Sequence, residues 1–150
     1  METDKSIDVL NSLIEINNDR VEGYETAAKE TEDQDLKNLF AELQNTSNNI
    51  LSELRSEVGR LHGDIEEGTR ITGKFFRVWM DVKAALTGND RHAILSSCEF
   101  GEDNALDVYQ NVIDNHSGDL TSEELMMVRS QYEKLHADHD RVKALRDSAS

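Results

Sequence analysis

Four long stretches of this chain carry apolar residues at alternating steps of three and four, and no proline interrupts any of its 150 residues. That spacing is the seam of packed helices, and a chain free of proline lets each helix run unbroken. The first stripe is Ile7, Leu10, Ile14, Asn17, Val21, Tyr24 and Ala28, in a helix expected over about Asp4–Glu30. The second helix, about Glu32–Arg60, carries Leu36, Leu39, Phe40, Leu43, Ser47, Ile50, Leu54 and Val58, with Leu61 as it ends. Thr31 and Gln34 before it read as a capping box. The third, about Asp90–His116, carries Leu95, Cys98, Glu102, Ala105, Tyr109 and Val112. The fourth, about Ser122–Asp147, opens on a Thr121–Glu124 capping box and carries Leu125, Val128, Tyr132, Leu135, His139 and Val142. Gly59, Gly63, Gly68 and Gly73 punctuate the link between the second and third helices. A short helix follows them, about Gly73–Thr87, with Phe75, Phe76, Trp79, Val82 and Leu86 on one side. Nothing alternates with period two over a useful length, so no strand is expected.

Connection lengths set the topology. The first two helices, and the last two, are joined by short turns and should pair antiparallel. The long middle link, with its short helix, can climb the molecule and let the second and third helices run parallel. The expectation is an all-α, ferritin-like four-helix bundle. It has two antiparallel hairpins, a long crossover holding a short extra helix, and a single domain over residues 1–150. The alternative is an up-down bundle whose short helix extends the third helix across a kink at Gly88.

Charge narrows the partners. With 31 acidic and 16 basic side chains the net charge is -15. A phosphate backbone or an anionic lipid surface would be repelled, so neither nucleic acid nor membrane is an expected partner. No apolar run reaches membrane-spanning length, and Met1–Ser6 lacks the basic-then-apolar pattern of a signal peptide. The single Cys98 cannot form an internal disulfide and fits a reducing compartment. A cytoplasmic location is expected, and a homodimer follows from how commonly bundles pair.

Polar residues interrupt the greasy seams. Asn17, Tyr24, Glu25, Glu102 and His139 lie on or beside faces that should be buried. Inward carboxylates and imidazoles are how bundles hold metals, and they are also what a structural polar layer looks like. A di-iron cage needs glutamates on two helices and a Glu-x-x-His pair on each of the other two. The first helix offers Glu22 and Glu25, the third Glu99 and Glu102, and the fourth Glu133 with His136 and then His139. The second offers nothing comparable, since Glu53 is followed three residues on by Ser56 and Glu57 by Arg60. A symmetric two-metal cage is therefore not expected. Tyr24, Glu25, Glu102 and His139 are expected to form one buried polar cluster, with Asn17 and Arg20 as available partners. A single iron, zinc or manganese ion would draw on Glu25, Glu99, Glu102, His136 and His139; no other cofactor is expected. Cys98 reads as a small buried filler rather than a nucleophile, and Phe75, Phe76 and Trp79 as the glue of the crossover helix. The glycines have no preceding strand and no Lys-Ser or Lys-Thr end, so they form no phosphate loop.

Asn17–Tyr24, Arg77–Lys83, Cys98–Asp103 and His139–Asp147 are distinctive strings rather than generic helix patterns. Through them the chain resembles, over nearly its whole length, a bacterial family of ferritin-like four-helix-bundle proteins catalogued as a domain of unknown function. The resemblance implies a ferritin-like fold in a bacterial cytoplasm and hands over no reaction; the wider superfamily points to iron, oxygen or stress protection. The leading expectation is a non-catalytic bundle acting through protein–protein contacts, in a stress response by analogy. The alternative is a metal-binding protein with a degenerate carboxylate and histidine site between the first, third and fourth long helices.

Overall fold

The computed structural model describes residues 2–67, 74–88 and 90–149, without the side chains of residues 2 and 74–79. Gly68, Gly73 and the Phe75, Phe76 and Trp79 side chains lie outside the described residues. The helices are α1 (Glu2–Glu30), α2 (Gln34–Arg60), α3 (Lys74–Gly88), α4 (Arg91–Asn115) and α5 (Ser122–Ser148). A 3-10 turn at Ser117–Asp119 precedes α5. No strand occurs among the described residues, as the lack of period-two patterning required. The protein is all-α.

The helix ends follow local chemistry. The Thr121–Glu124 box is complete: Glu124 N–H donates to the Thr121 hydroxyl at 3.1 Å, and Thr121 N–H donates to Glu124 Oε1 at 2.9 Å. The expected Thr31–Gln34 box does not form. Asp33 caps α2 instead, accepting from the backbone N–H of Asp35 and Leu36 at 2.9 and 3.2 Å. A carboxylate satisfies helix N–H groups better than a neutral hydroxyl does. The Thr31 hydroxyl is left to accept from Asp33 N–H at 3.2 Å. At the other end of α2, Gly63 N–H returns to Val58 C=O and His62 N–H to Gly59 C=O, which is a Schellman closure. His62 holds the left-handed position with φ 62°. A Cβ at Gly63 would lie 2.8 Å from the Ile7 side chain, so any larger residue there would push Ile7 aside.

Side-chain pairs fix the helix directions. Tyr24 stacks on Phe40, Ser47 bonds Asn17 and Arg55 bonds Asn18, so α1 and α2 run antiparallel. Glu99 with Arg146, Asp103 with His139, and Tyr109 with Gln131 make α4 and α5 antiparallel. Asn17 with Tyr109 and Arg20 with Glu102 do the same for α1 and α4. Arg91, the first residue of α4, donates to the α2 cap Asp33 at 2.9 Å, which brings the two N-termini together. Helix α3 lies alongside α4 and touches α1.

The apolar core falls into two clusters. One joins Leu10, Leu13 and Ile14 of α1 to Ile50, Leu54 and Val58 of α2, and to Tyr109, Val112, Val128 and Leu135. The other joins Tyr24 and Ala27 to Leu36, Leu39, Phe40, Leu43, Val82, Leu95, Cys98 and Val142. Every α2 residue from Leu36 to Val58 expected on its seam is buried. The gap between the two clusters is filled by polar side chains.

Candidate functional site

Arg20 is the centre of that polar layer. Its side chain is 2% exposed, as is Glu102's. Nε donates to Glu102 Oε2 at 2.8 Å and Nη2 to Oε1 at 2.6 Å, a two-pronged pairing of planar fork and carboxylate. Nη1 donates to Ser47 Oγ at 2.5 Å, and Nη2 also reaches Asp138 Oδ2 at 3.2 Å. The guanidinium therefore ties all four long helices together.

The network continues toward the first apolar cluster. Ser47 donates to Asn17 Oδ1 at 2.9 Å, and Asn17 Nδ2 donates to Leu13 C=O at 2.8 Å and to the Tyr109 hydroxyl at 3.0 Å. Tyr109 donates to Gln131 Oε1 at 2.8 Å, and Gln131 Nε2 to Glu53 Oε1 at 3.2 Å. Below the guanidinium, the Tyr24 ring sits 5.5 Å from Arg20 Cζ, and its hydroxyl hydrogen-bonds Glu102. Buried polar groups need partners of this kind, because each unmade bond costs about 1–3 kcal/mol.

The surroundings favour the proton-bound form of Arg20, Tyr24, Tyr109 and Cys98. Burial works against a charged Arg20, but the carboxylates of Glu102 and Asp138 more than offset it, so the guanidinium holds its proton more tightly than usual. Burial raises the Tyr24 phenol well above its ordinary range, and the Glu102 charge adds to the effect. The Tyr109 phenol and the Cys98 thiol are likewise pushed up by burial. Burial also raises Asp138, against the pull of Arg20. Arg20 and Glu102 thus form a buried ion pair, with the Tyr24 and Tyr109 phenols held protonated in the same layer and Asp138 as a second carboxyl at its edge.

The expected cluster is partly assembled. Tyr24 and Glu102 meet in the core. Glu25 does not join them, because it lies on the solvent side of α1 and pairs with Lys29 at 3.1 Å. His139 turns toward Asp103 and Asp140, with its side chain 14% exposed, and does not pair with Glu102. His136 is exposed and pairs with Asp140. Glu99 is half-sheltered and binds Arg146 at 2.6 Å. The ligand set Glu25, Glu99, Glu102, His136 and His139 is therefore spread over separate faces and does not surround one ion.

Both corrections have one cause. The inner face of α1 reads Leu10, Leu13, Asn17, Arg20, Tyr24 and Ala27, with Val21 only half-buried. The inner face of α5 reads Glu124, Val128, Gln131, Leu135, Asp138 and Val142, all but Asp138 fully buried. Each face keeps the three-four spacing, but a charged or amide residue stands where an apolar or aromatic neighbour looked the better seam position. Gln131 and Asp138 are the network residues this hid, while Arg20, expected only as an available partner of the cluster, stands at its centre. Asp103 was missed too. With Glu99 and His139 it offers ligating atoms that all lie within 4.8 Å of one another, on the outer side of the α4–α5 pair.

The model of a domain of unknown function, DUF2383, matches residues 5–115. The chain belongs to the DUF2383 family. The matched segment covers α1 to the end of α4 and leaves α5 outside it, so the DUF2383 match holds Arg20, Ser47 and Glu102 but not Gln131 or Asp138. A search of curated proteins finds no match.

Proposed function

We propose that this DUF2383 protein is a ferritin-like four-helix bundle that has given up inward metal chemistry for a fixed ion pair and acts through protein contacts. The observation that carries this reading is the Arg20–Glu102 pairing in the layer between the two apolar clusters. In a metal-holding bundle the inward carboxylates of facing helices converge on a cation. Here the convergent cation is a guanidinium of the chain itself. The antiparallel pairs, the adjacent α2 and α4 N-termini and the packing of α3 along α4 support the crossover topology over a kinked extension of α4. No described helix is long and apolar enough to cross a membrane. The lone buried thiol accords with a bacterial cytoplasm, and the stress-related role rests on superfamily analogy.

Two measurements test the reading. Oxygen consumption with ferrous iron should proceed no faster with the protein than in buffer; an acceleration lost in Glu102→Gln would refute it. Light scattering should return twice the 17.0 kDa chain mass if the bundle pairs with itself; a strict monomer would remove the homodimer from the proposal.

A further inference from the structure

We propose that Glu99, Asp103 and His139 bind one divalent transition-metal ion on the outer edge of the α4–α5 pair, away from the Arg20 layer. Residues four apart share a helix face, so α4 presents Glu99 and Asp103 together. The antiparallel α5 brings His139 to the same patch, with Nε2 2.7 Å from Asp103 Oδ1. Each of the three offers a ligating atom, and those atoms lie within 4.8 Å of one another. Ligand atoms around one tetrahedral ion, with bonds of about 2.1 Å, sit roughly 3.4 Å apart. Binding would draw the three side chains together over the remaining distance.

Two further observations point to a cation there. The first is the imidazole. His139 Nδ1 lies 3.2 Å from Asp140 Oδ1, and Nε2 lies 2.7 Å from Asp103 Oδ1. Asp140 can accept from Nδ1, which leaves Nε2 to face Asp103 either as an N–H donor or, with that proton displaced, as a metal ligand. A carboxylate behind a ligating histidine is the usual outer-shell support of such a site. The second observation is Glu99. Its Oε1 accepts from Arg146 at 2.6 Å, while its Oε2 is sealed from solvent and accepts no hydrogen bond. A metal bond would satisfy that oxygen without displacing Arg146. Two carboxylates and a neutral imidazole balance a divalent ion, and nitrogen among the donors favours zinc, ferrous iron or manganese over calcium or magnesium. Asp103, half-exposed, leaves the outer coordination position to water.

Cobalt(II) is the probe, since its visible absorption reports coordination number. Chelator-stripped full-length protein should take up one cobalt ion per chain with tetrahedral bands, and zinc should displace it. His139→Gln and Glu99→Gln should each weaken binding at least ~10-fold, while His136→Gln, outside the trio, should leave it unchanged. Circular dichroism checks the fold of each variant. Should Glu99→Gln unfold, Asp103→Asn takes its place, with the same loss expected. Three results would overturn the proposal: no uptake by the wild type, uptake unaffected by His139→Gln, or an equal loss in His136→Gln. The last would put the ion on the exposed His136–Asp140 pair.

Discussion

Replacing Glu102 by glutamine keeps the shape of the side chain and removes its charge. Arg20 then stays buried with its Nε and one Nη2 bond directed at a neutral amide. Its remaining carboxylate is Asp138, a single contact at 3.2 Å from a side chain 17% exposed. Breaking a buried ion pair from one side costs about 3–5 kcal/mol, because the surviving charge is left uncompensated. Asp138 recovers part of this, which places Glu102→Gln near ~3 kcal/mol, a large share of the 5–15 kcal/mol typical of a domain. Arg20→Met strands Glu102 in the same way, with the Tyr24 hydroxyl as its remaining neutral donor. The double variant strands neither charge, so its cost should fall short of the sum of the singles by at least ~2 kcal/mol. Urea unfolding followed by circular dichroism reads this directly. With a slope of about 1–3 kcal/mol/M, the Glu102→Gln midpoint should drop by roughly 1–3 M. A Glu102→Gln midpoint within ~0.3 M of wild type, together with additive singles, would mean that the charge at Glu102 is not what holds the layer.

Two other perturbations address the ends of the helices. Glu124 is buried beside Glu57, and burial first, then that neighbour, raises its folded-state pKa above the ordinary 4.5. A raised acid contributes stability that is full below 4.5 and is lost as pH rises through the folded value. Glu124→Gln keeps the capping box and can donate to Glu57, so it should stabilise by about 0.5–1 kcal/mol at pH 7. That gain should vanish in melts run below pH 4; a gain independent of pH would refute the assignment. His62 holds a left-handed backbone that disfavours a Cβ, so His62→Gly should raise stability by about 0.5–1 kcal/mol in urea titrations, and a loss would show that its ring makes a contact worth more than the strain.

How far the amino-acid order reveals this protein depends on which physical signal each element carries. Helix α2 is unambiguous, because its inner face is apolar from Leu36 to Val58 except at Ser47, and hydrophobic periodicity alone selects it. Helices α1 and α5 are harder, because their inner faces carry the polar layer. On α1, Arg20 and Val21 are adjacent, and a rule that buries the apolar residue chooses Val21. On α5 the same rule prefers Tyr132 and His139 to Gln131 and Asp138. The rule fails at these positions because burial there is decided by partners on other helices, which a single helix pattern does not contain. Arg20 is buried because Glu102, Ser47 and Asp138 surround it, and Gln131 because Tyr109 and Glu53 do. The partners are themselves informative. Once Glu102 sits on an apolar seam with no lysine or arginine on its own inner face, a cation must come from a facing helix. Arg20, three residues after the buried Asn17 and four before the buried Tyr24, is the basic residue of α1 whose spacing meets that need. Pairing requirements across helices, applied after periodicity, would have turned α1 and α5 by one position, moved His139 from the core to the rim, and brought it beside Asp103.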